Sequence, residues 1–241
     1  MLFFLKPCRG HGPLLHWIHR VTTTTATLFI SGTCPHCPAV MQSLTHLVKA
    51  GKLARLDIYN IELNADAAAT RGVRSVPWVQ LGPFELTGLR SQNELLQWIE
   101  RIDDPAMMAA YFAEQITSGD MDKVQTTIEN NPHLFSLLLQ LMSADDTSLS
   151  VRIGVGALME DFANGNLLNN NIDALGVYTM HTQARVRTDA CHYLGLSHNP
   201  AAEKYIRPLL NDIDTEVRDV AEEALQEIKT AFQYSPDIGM K

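Results

Sequence analysis

The sequence has few of the features that mark secreted, membrane-spanning or nucleotide-binding proteins. Only four of its 241 residues are cysteines, which is too few for a small disulfide-stapled domain. No apolar run approaches the ~18 residues of a membrane helix, and the first residues lack the cleavage site of a signal peptide. No glycine-rich loop follows an apolar strand pattern, and no His, Asp and Ser constellation indicates hydrolysis. We therefore expect a cytoplasmic protein without a membrane partner or a cofactor.

Charge is distributed unevenly along the chain. Residues 1–104 contain 10 Lys and Arg against 8 Asp and Glu, a net charge of +2, whereas residues 105–241 contain 9 against 19, a net charge of −10. The acidic half would repel phosphates, so no nucleic-acid partner is expected. Asp104 and Pro105 lie at this change, where Pro suits the first turn of a helix and Asp suits its cap.

The changes in charge and sequence pattern along the chain predict four segments. They are a poorly ordered leader at 1–22, a first domain at 23–103, a second domain at 105–232, and a tail at 233–241.

The most informative stretch is Cys34-Pro35-His36-Cys37, which follows the apolar run Thr27–Ile30 and precedes a helical pattern. Two cysteines separated by two residues, where a strand gives way to a helix, suit dithiol and disulfide exchange. Cys34 is expected at the helix N-terminus, where unpaired backbone N–H groups favour the thiolate. The sequence therefore predicts Cys34 as the nucleophile and Cys37, one turn further on, as the resolving thiol.

A Cys-x-x-Cys pair is also compatible with a metal site or a structural disulfide. A Cys-x-x-Cys pair can be half of a zinc site, but such sites usually need a second Cys or His pair. Cys8 and Cys191 offer no such pair, so no metal is expected. A structural disulfide between Cys34 and Cys37 would close a very short loop and constrain the unfolded chain little.

Alternating strand and helix patterns surround the cysteine pair and predict an α/β domain. The second strand should run parallel to the first by the right-handed crossover rule. Gly82-Pro83 should join the third and fourth strands as a hairpin, and Ser91 with Glu94 forms a capping box for the last helix. The predicted strands are Ala26–Ser31, Leu53–Ile61, Trp78–Leu81 and Phe84–Thr87, and the predicted helices are Pro35–Ala50, Asp66–Arg71 and one from Ser91.

From Ala26 to about Glu100 this order of elements resembles the thioredoxin/glutaredoxin superfamily. The resemblance rests on LFISGTCPHCPAV, ARLDIYNIEL and RGVRSVPW taken together. It implies that Pro77 is a cis-proline beside the redox cysteines and that Val76 offers backbone groups to an extended substrate. Many family members carry a buried acid six positions before the first cysteine, where this chain has Leu28.

The dipeptide between the cysteines carries a further implication of the resemblance. Pro35-His36 is similar to the dipeptide of DsbA-type oxidases, in which the histidine stabilises the thiolate. That implies a disulfide more oxidising than the roughly −270 mV of thioredoxin, toward the roughly −120 mV of DsbA. An exposed His36 without redox effect is the alternative.

The second half of the chain has helical periodicity throughout and an internal repeat. Val-Arg pairs begin helical patterns at Val151, Val186 and Val217, with a small or apolar residue four positions beyond each Val. This pattern resembles HEAT-type repeats, whose helix pairs stack on one another. The Val positions are expected in the core, the Arg side chains on a neighbouring unit's Asp, and Cys191 as a buried inert thiol.

A thioredoxin-like cysteine pair followed by helical repeats predicts a thiol-disulfide oxidoreductase whose repeats bind a partner protein or position a protein substrate. An alternative is an interaction scaffold in which the thioredoxin-like unit serves only as a docking module.

Overall fold

The computed structural model describes residues 24–163 and 165–234. The predicted leader, Cys8 and residues 235–241 of the predicted tail lie outside the described residues. The chain divides into two compact units, one ending at Ile102 and the other beginning at Asp103. No helix among the described residues has both the length and the apolar character needed to cross a bilayer.

The first unit is a mixed sheet with helices. The sheet order is β2-β1-β3-β4, with β1 parallel to β2 and antiparallel to β3, and β3 antiparallel to β4. Both the parallel pair and the hairpin predicted from the sequence are confirmed. The elements are β1 (Thr25–Ile30), α1 (Cys37–Lys49), β2 (Arg55–Asn60), α2 (Ala65–Thr70), β3 (Trp78–Leu81), β4 (Phe84–Thr87) and α3 (Gln92–Glu100).

Side chains that alternate along the strands fill two layers. On one face Phe29 and Trp78 pack against Ala68 of α2, and their rings meet edge to face with centroids 5.5 Å apart. Leu28 points to the opposite face, is fully buried, and lies opposite Ile58 and Val79 in the sheet register.

Two boundaries in this unit have clear local causes. The second strand is shorter than the predicted Leu53–Ile61, because its partner β1 has only six residues and pairs with Arg55–Asn60. The capping box of α3 is confirmed: the Ser91 hydroxyl accepts the Glu94 N–H at 3.2 Å, and the Glu94 carboxylate accepts the Ser91 N–H at 2.8 Å.

The second unit is all helical over its described residues, 103–163 and 165–234. The fold class predicted from the sequence, an α/β unit followed by an all-α unit, is thereby confirmed. Short 3-10 turns occur at Pro132–Leu134, Pro200–Ala202 and Arg207–Asn211. The helices are α4 (Pro105–Ser118), α5 (Met121–Asn130), α6 (Phe135–Ser143), α7 (Leu149–Ala163), α8 (Leu167–Asn170), α9 (Ile172–Tyr178), α10 (Ala184–Leu196), α11 (Glu203–Ile206) and α12 (Thr215–Tyr234).

The ends of α4 follow ordinary helix chemistry. Asp104 caps its start, because one carboxylate oxygen accepts the Ala106 N–H at 2.9 Å, and Pro105 is the first helical residue. Both roles were predicted from the sequence. Gly119 ends the helix at a φ of 80°, a left-handed conformation that glycine adopts without a steric penalty.

The Val-Arg pairs lie in the first turns of α7, α10 and α12, and their valines are buried. Arg187 donates to the carbonyl oxygens of His181 and Thr182, six and five residues earlier. Arg218 donates to the carbonyl oxygens six and five residues before it in the same way. Arg187 also forms two 2.7 Å hydrogen bonds to Asp212, an Asp before the next Val-Arg helix, so the predicted Arg–Asp contact is confirmed for this one of the three arginines.

Candidate functional site: a paired thiol

The cysteine pair lies at the end of β1, in the loop that leads into α1. The Cys34 N–H donates to the Ser31 carbonyl oxygen at 3.4 Å, which closes a turn after the strand. Cys34 is half-buried, whereas Cys37 is only 3% exposed. The loop therefore presents one thiol to solvent and holds the other beneath it.

The structure corrects the predicted start of the helix. The sequence pattern placed Pro35 in the helix and Cys34 at its N-terminus, but α1 begins at Cys37 with His36 as its N-cap. Pro38 explains the difference, because proline has no N–H and suits a helix only in the first turn. A helix that began at Pro35 would place Pro38 where a backbone hydrogen bond is required.

The pKa of Cys34 is nevertheless shifted downward. Partial desolvation is the largest single influence and raises it, but hydrogen bonding to the Cys37 thiol and to the backbone N–H groups of His36 and Cys37 together outweighs desolvation. The stabilisation that the sequence attributed to a helix N-terminus thus comes from two backbone donors at the start of α1.

Cys37 is shifted in the opposite direction. Burial is the main cause, and the hydrogen bond and negative charge of Cys34 add to it, so the pKa of Cys37 rises to about 11. The two thiols therefore divide into an ionisable outer sulfur and a protonated inner one. This is the asymmetry that a nucleophile and a resolving thiol require.

Pro35 and His36 are both exposed. Among the described residues, the His36 imidazole forms no hydrogen bond or ion pair. His36 contributes to the lowered pKa of Cys34 through its backbone N–H rather than its ring. Any effect of the imidazole on the thiolate stays a prediction.

The Val76-Pro77 peptide bond is cis, as predicted from the sequence. The protonated Cys34 thiol donates to the Val76 carbonyl oxygen at 3.5 Å, so this segment lies directly against the cysteine loop. Pro77 is buried, and its carbonyl oxygen accepts the Gly88 N–H at 2.9 Å. The structure thus brings Val76 and Pro77 together with Cys34.

One polar contact to the cysteine loop was missed by the sequence reasoning. A Glu62 carboxylate oxygen accepts the Gly32 N–H at 3.2 Å, two residues before Cys34. Glu62 follows β2, and the carboxyl ends of neighbouring parallel strands meet at one edge of a sheet. That rule could have placed Glu62 beside the loop after β1.

The remaining described thiol, Cys191, lies in α10 of the second unit and is fully buried. Burial raises its pKa to about 12, so it is the inert core thiol expected from the sequence. Among the residues that the structure describes, no group of three or more His, Cys, Asp or Glu side chains could hold a metal ion.

Comparison with known proteins agrees with this division of the chain. The family model for the thioredoxin domain matches residues 26–100, which lie within the first unit. A search of curated proteins found no match. The first unit is therefore similar to thioredoxin domains in both sequence and fold, with Cys34 and Cys37 close together at the end of its first strand.

Proposed function

We propose that the protein is a thiol-disulfide oxidoreductase that uses Cys34 and Cys37, and that its helical unit binds a protein partner or substrate. The observation that carries the proposal is the opposed environment of the two thiols. Cys34 is half-buried and its pKa is lowered, because hydrogen bonding to the start of α1 outweighs partial desolvation, whereas Cys37 is buried with a pKa of about 11.

The proposed reaction moves two electrons from the dithiol to a substrate disulfide. The Cys34 thiolate attacks one substrate sulfur, the substrate S–S bond breaks, and the departing sulfur takes a proton from water. Cys37 then loses its proton and attacks the Cys34 sulfur, which releases the second substrate thiol. The enzyme is left with a Cys34–Cys37 disulfide, which an external dithiol must reduce before the next turnover.

The charge on Cys34 controls when Cys37 can ionise and attack. The negative charge of Cys34 is one of the influences that raise the pKa of Cys37. A mixed disulfide at Cys34 removes that charge, so the pKa of Cys37 falls at the moment when it must attack. Val76 would hold the substrate chain through its backbone, as the resemblance to the family implies.

Two features of the second unit support a role in protein binding. Met180 and Ile213 lie in turns before α10 and α12 and are 87% and 94% exposed, which is unusual for large apolar side chains. The matching bonds of Arg187 and Arg218 indicate repeated local structure, which supports the HEAT-type assignment. A cytoplasmic location, expected from the sparse cysteines, also belongs to the proposal.

Insulin reduction in the presence of dithiothreitol tests the activity. We expect a rate well above the uncatalysed one, with Cys191→Ser at the wild-type rate because that thiol is buried. A wild-type rate equal to background would contradict the oxidoreductase assignment and favour the scaffold function.

A further inference from the structure

A carboxylate outside the cysteine loop is tied to the loop itself. The Gly32 N–H donates to Glu62 Oε1 at 3.2 Å, across 30 residues of sequence. The backbone and hydroxyl bonds from Ser31 to Cys34 are local, between Cys34 N–H and the Ser31 carbonyl and between the Ser31 and Thr33 hydroxyls, and the Cys34 thiol donates to the Val76 carbonyl oxygen. Glu62 therefore links the segment before Cys34 to a different strand end.

Glu62 is itself held in place by its neighbours. Its own N–H donates to the Asn60 side-chain oxygen at 2.8 Å, and the preceding Ile61 N–H donates to the Ile30 carbonyl oxygen at 2.9 Å. The second bond continues the β1–β2 ladder to the point where the cysteine loop begins. The carboxylate thus extends from a fixed base, so its position can define that of Gly32.

We propose that Glu62 is a positioning residue for Cys34. By holding the Gly32 N–H, it fixes the turn in which the Cys34 sulfur meets the N–H groups of His36 and Cys37. Loss of the tether lets the turn move, and the sulfur then spends less time aligned with these donors. The effect of Glu62 on the ionisation of Cys34 does not depend on the proposed function, because it needs only the position of the sulfur. Its value to catalysis rests on the proposed function.

The charge of Glu62 acts in the opposite direction to the tether. A nearby carboxylate disfavours a thiolate, but water and salt screen this repulsion because the Glu62 side chain is exposed. Other titratable or charged side chains near this loop are Cys37 and His36, and the segment that leads to Pro77 contributes Arg71 and Arg74. A useful test must separate the tether from the charge while these groups stay unchanged.

Two matched pairs of proteins separate the tether from the charge. Wild type and Glu62→Asp carry the same charge, but aspartate is one methylene shorter and cannot reach Gly32 from the same backbone position. Glu62→Gln and Glu62→Ala are both neutral, but only glutamine retains an oxygen that can accept the Gly32 N–H. Asp66→Ala removes an exposed carboxylate from α2, where no hydrogen bond to the loop is recorded, and serves as the control.

The readout is the rate at which iodoacetamide alkylates Cys34 as a function of pH, measured on the Cys34 peptide by mass spectrometry. We expect the untethered member of each pair to have the higher Cys34 pKa and a two- to threefold lower rate below that pKa. Asp66→Ala should match wild type. Coincident profiles within both pairs would overturn the proposal.

The alkylation readout also keeps this inference separate from the proposed function. Alkylation needs only the thiolate, so it reports on Glu62 even if the protein reduces no disulfide. An inactive wild type with the expected difference in both pairs would remove the oxidoreductase and leave Glu62 as a positioning residue. If the wild type reduces insulin but the alkylation profiles coincide within both pairs, the oxidoreductase function stands and Glu62 is not a positioning residue.

Discussion

The two units place the same residue type in opposite environments. In the first unit Cys34 lies in a loop, half-buried, and its pKa is lowered because hydrogen bonding to the start of α1 outweighs partial desolvation. In the second unit Cys191 lies within α10, where its side chain is fully buried and burial raises its pKa. The two thiols therefore have pKa values shifted in opposite directions, and the difference comes from their surroundings rather than from the residue type.

The largest expected effect separates the outer thiol from the inner one. Cys34→Ser should lower insulin reduction to background, because no nucleophile remains. Cys37→Ser should retain the first attack and accumulate mixed disulfides through Cys34, since the buried resolving sulfur is gone. Non-reducing gels of cell extracts from the two variants measure the trapped species.

The contradicting outcome is equally specific. If Cys34→Ser traps as many partners as Cys37→Ser, then the buried thiol attacks substrates as well, and the assignment of Cys34 as sole nucleophile is wrong.

The next effect compares thiols between the units. Cys191, with a pKa of about 12, has on the order of one thiolate in 30,000 at pH 7.5, and its burial blocks access. We expect iodoacetamide to label Cys34 at least a thousandfold faster than Cys191 in the native protein. Urea should abolish most of this difference, because unfolding exposes Cys191. Rapid labelling of Cys191 without denaturant would show that α10 opens locally.

A third effect concerns the stability of the second unit. The Arg187 and Asp212 side chains are only 11% and 9% exposed, and Arg187 also bonds to two carbonyl oxygens. Arg187→Ala should lower the free energy of unfolding by about 3 kcal/mol, because it leaves a poorly hydrated carboxylate without its partner. Urea-dependent labelling of Cys191 measures unfolding of this unit in the whole chain.

The matched control is Arg207→Ala. The Arg207 side chain is 58% exposed and pairs with Glu203 one helical turn earlier, so its loss should cost less than about 0.5 kcal/mol. Equal losses in the two variants would show that the Arg187–Asp212 pair is no more important than an exposed one.

The same ion pair has a defined pH dependence. The hydrogen bonds from Arg187 are the main cause that lowers the pKa of Asp212 below its usual value. A carboxyl with a lowered folded-state pKa stabilises the protein above the unfolded value of about 3.9 and loses that contribution as pH falls through the folded value. The stability difference between wild type and Arg187→Ala should therefore be constant from pH 5 to 8 and shrink below about pH 4.

The sequence predicted the fold well where local chemistry decides the structure. The capping box at Ser91, the cap at Asp104 and the hairpin at Gly82 each depend on a few adjacent residues, and all three are present. The parallel pairing of β1 and β2 followed from a rule of handedness. The cis peptide before Pro77 was predicted from the resemblance to a family rather than from local chemistry.

The sequence predicted the site less well where distant segments meet. Glu62 contacts Gly32 only because two parallel strands end at the same edge, and no local pattern marks that contact. The helix start was predicted two residues too early because the apolar positions, which begin at Val40, do not define the first turn, whereas Pro38 in that turn does. Both errors concern where backbone N–H groups find acceptors.

The smallest expected effect concerns His36 and sharpens the comparison within the first unit. The resemblance attributes stabilisation of the Cys34 thiolate to the imidazole, whereas in the structure the His36 backbone is among the causes that lower the Cys34 pKa, and the exposed ring has no hydrogen bond to the described residues. His36→Ala removes the ring and keeps the N–H. We therefore expect its reduction potential to stay within about 30 mV of wild type, which is a tenfold change in the equilibrium constant for two electrons.

Equilibration against glutathione measures both potentials, and the wild type itself should lie above the roughly −270 mV of thioredoxin. A fall of more than 30 mV in His36→Ala would show that the imidazole, and not the backbone, is the main source of thiolate stabilisation.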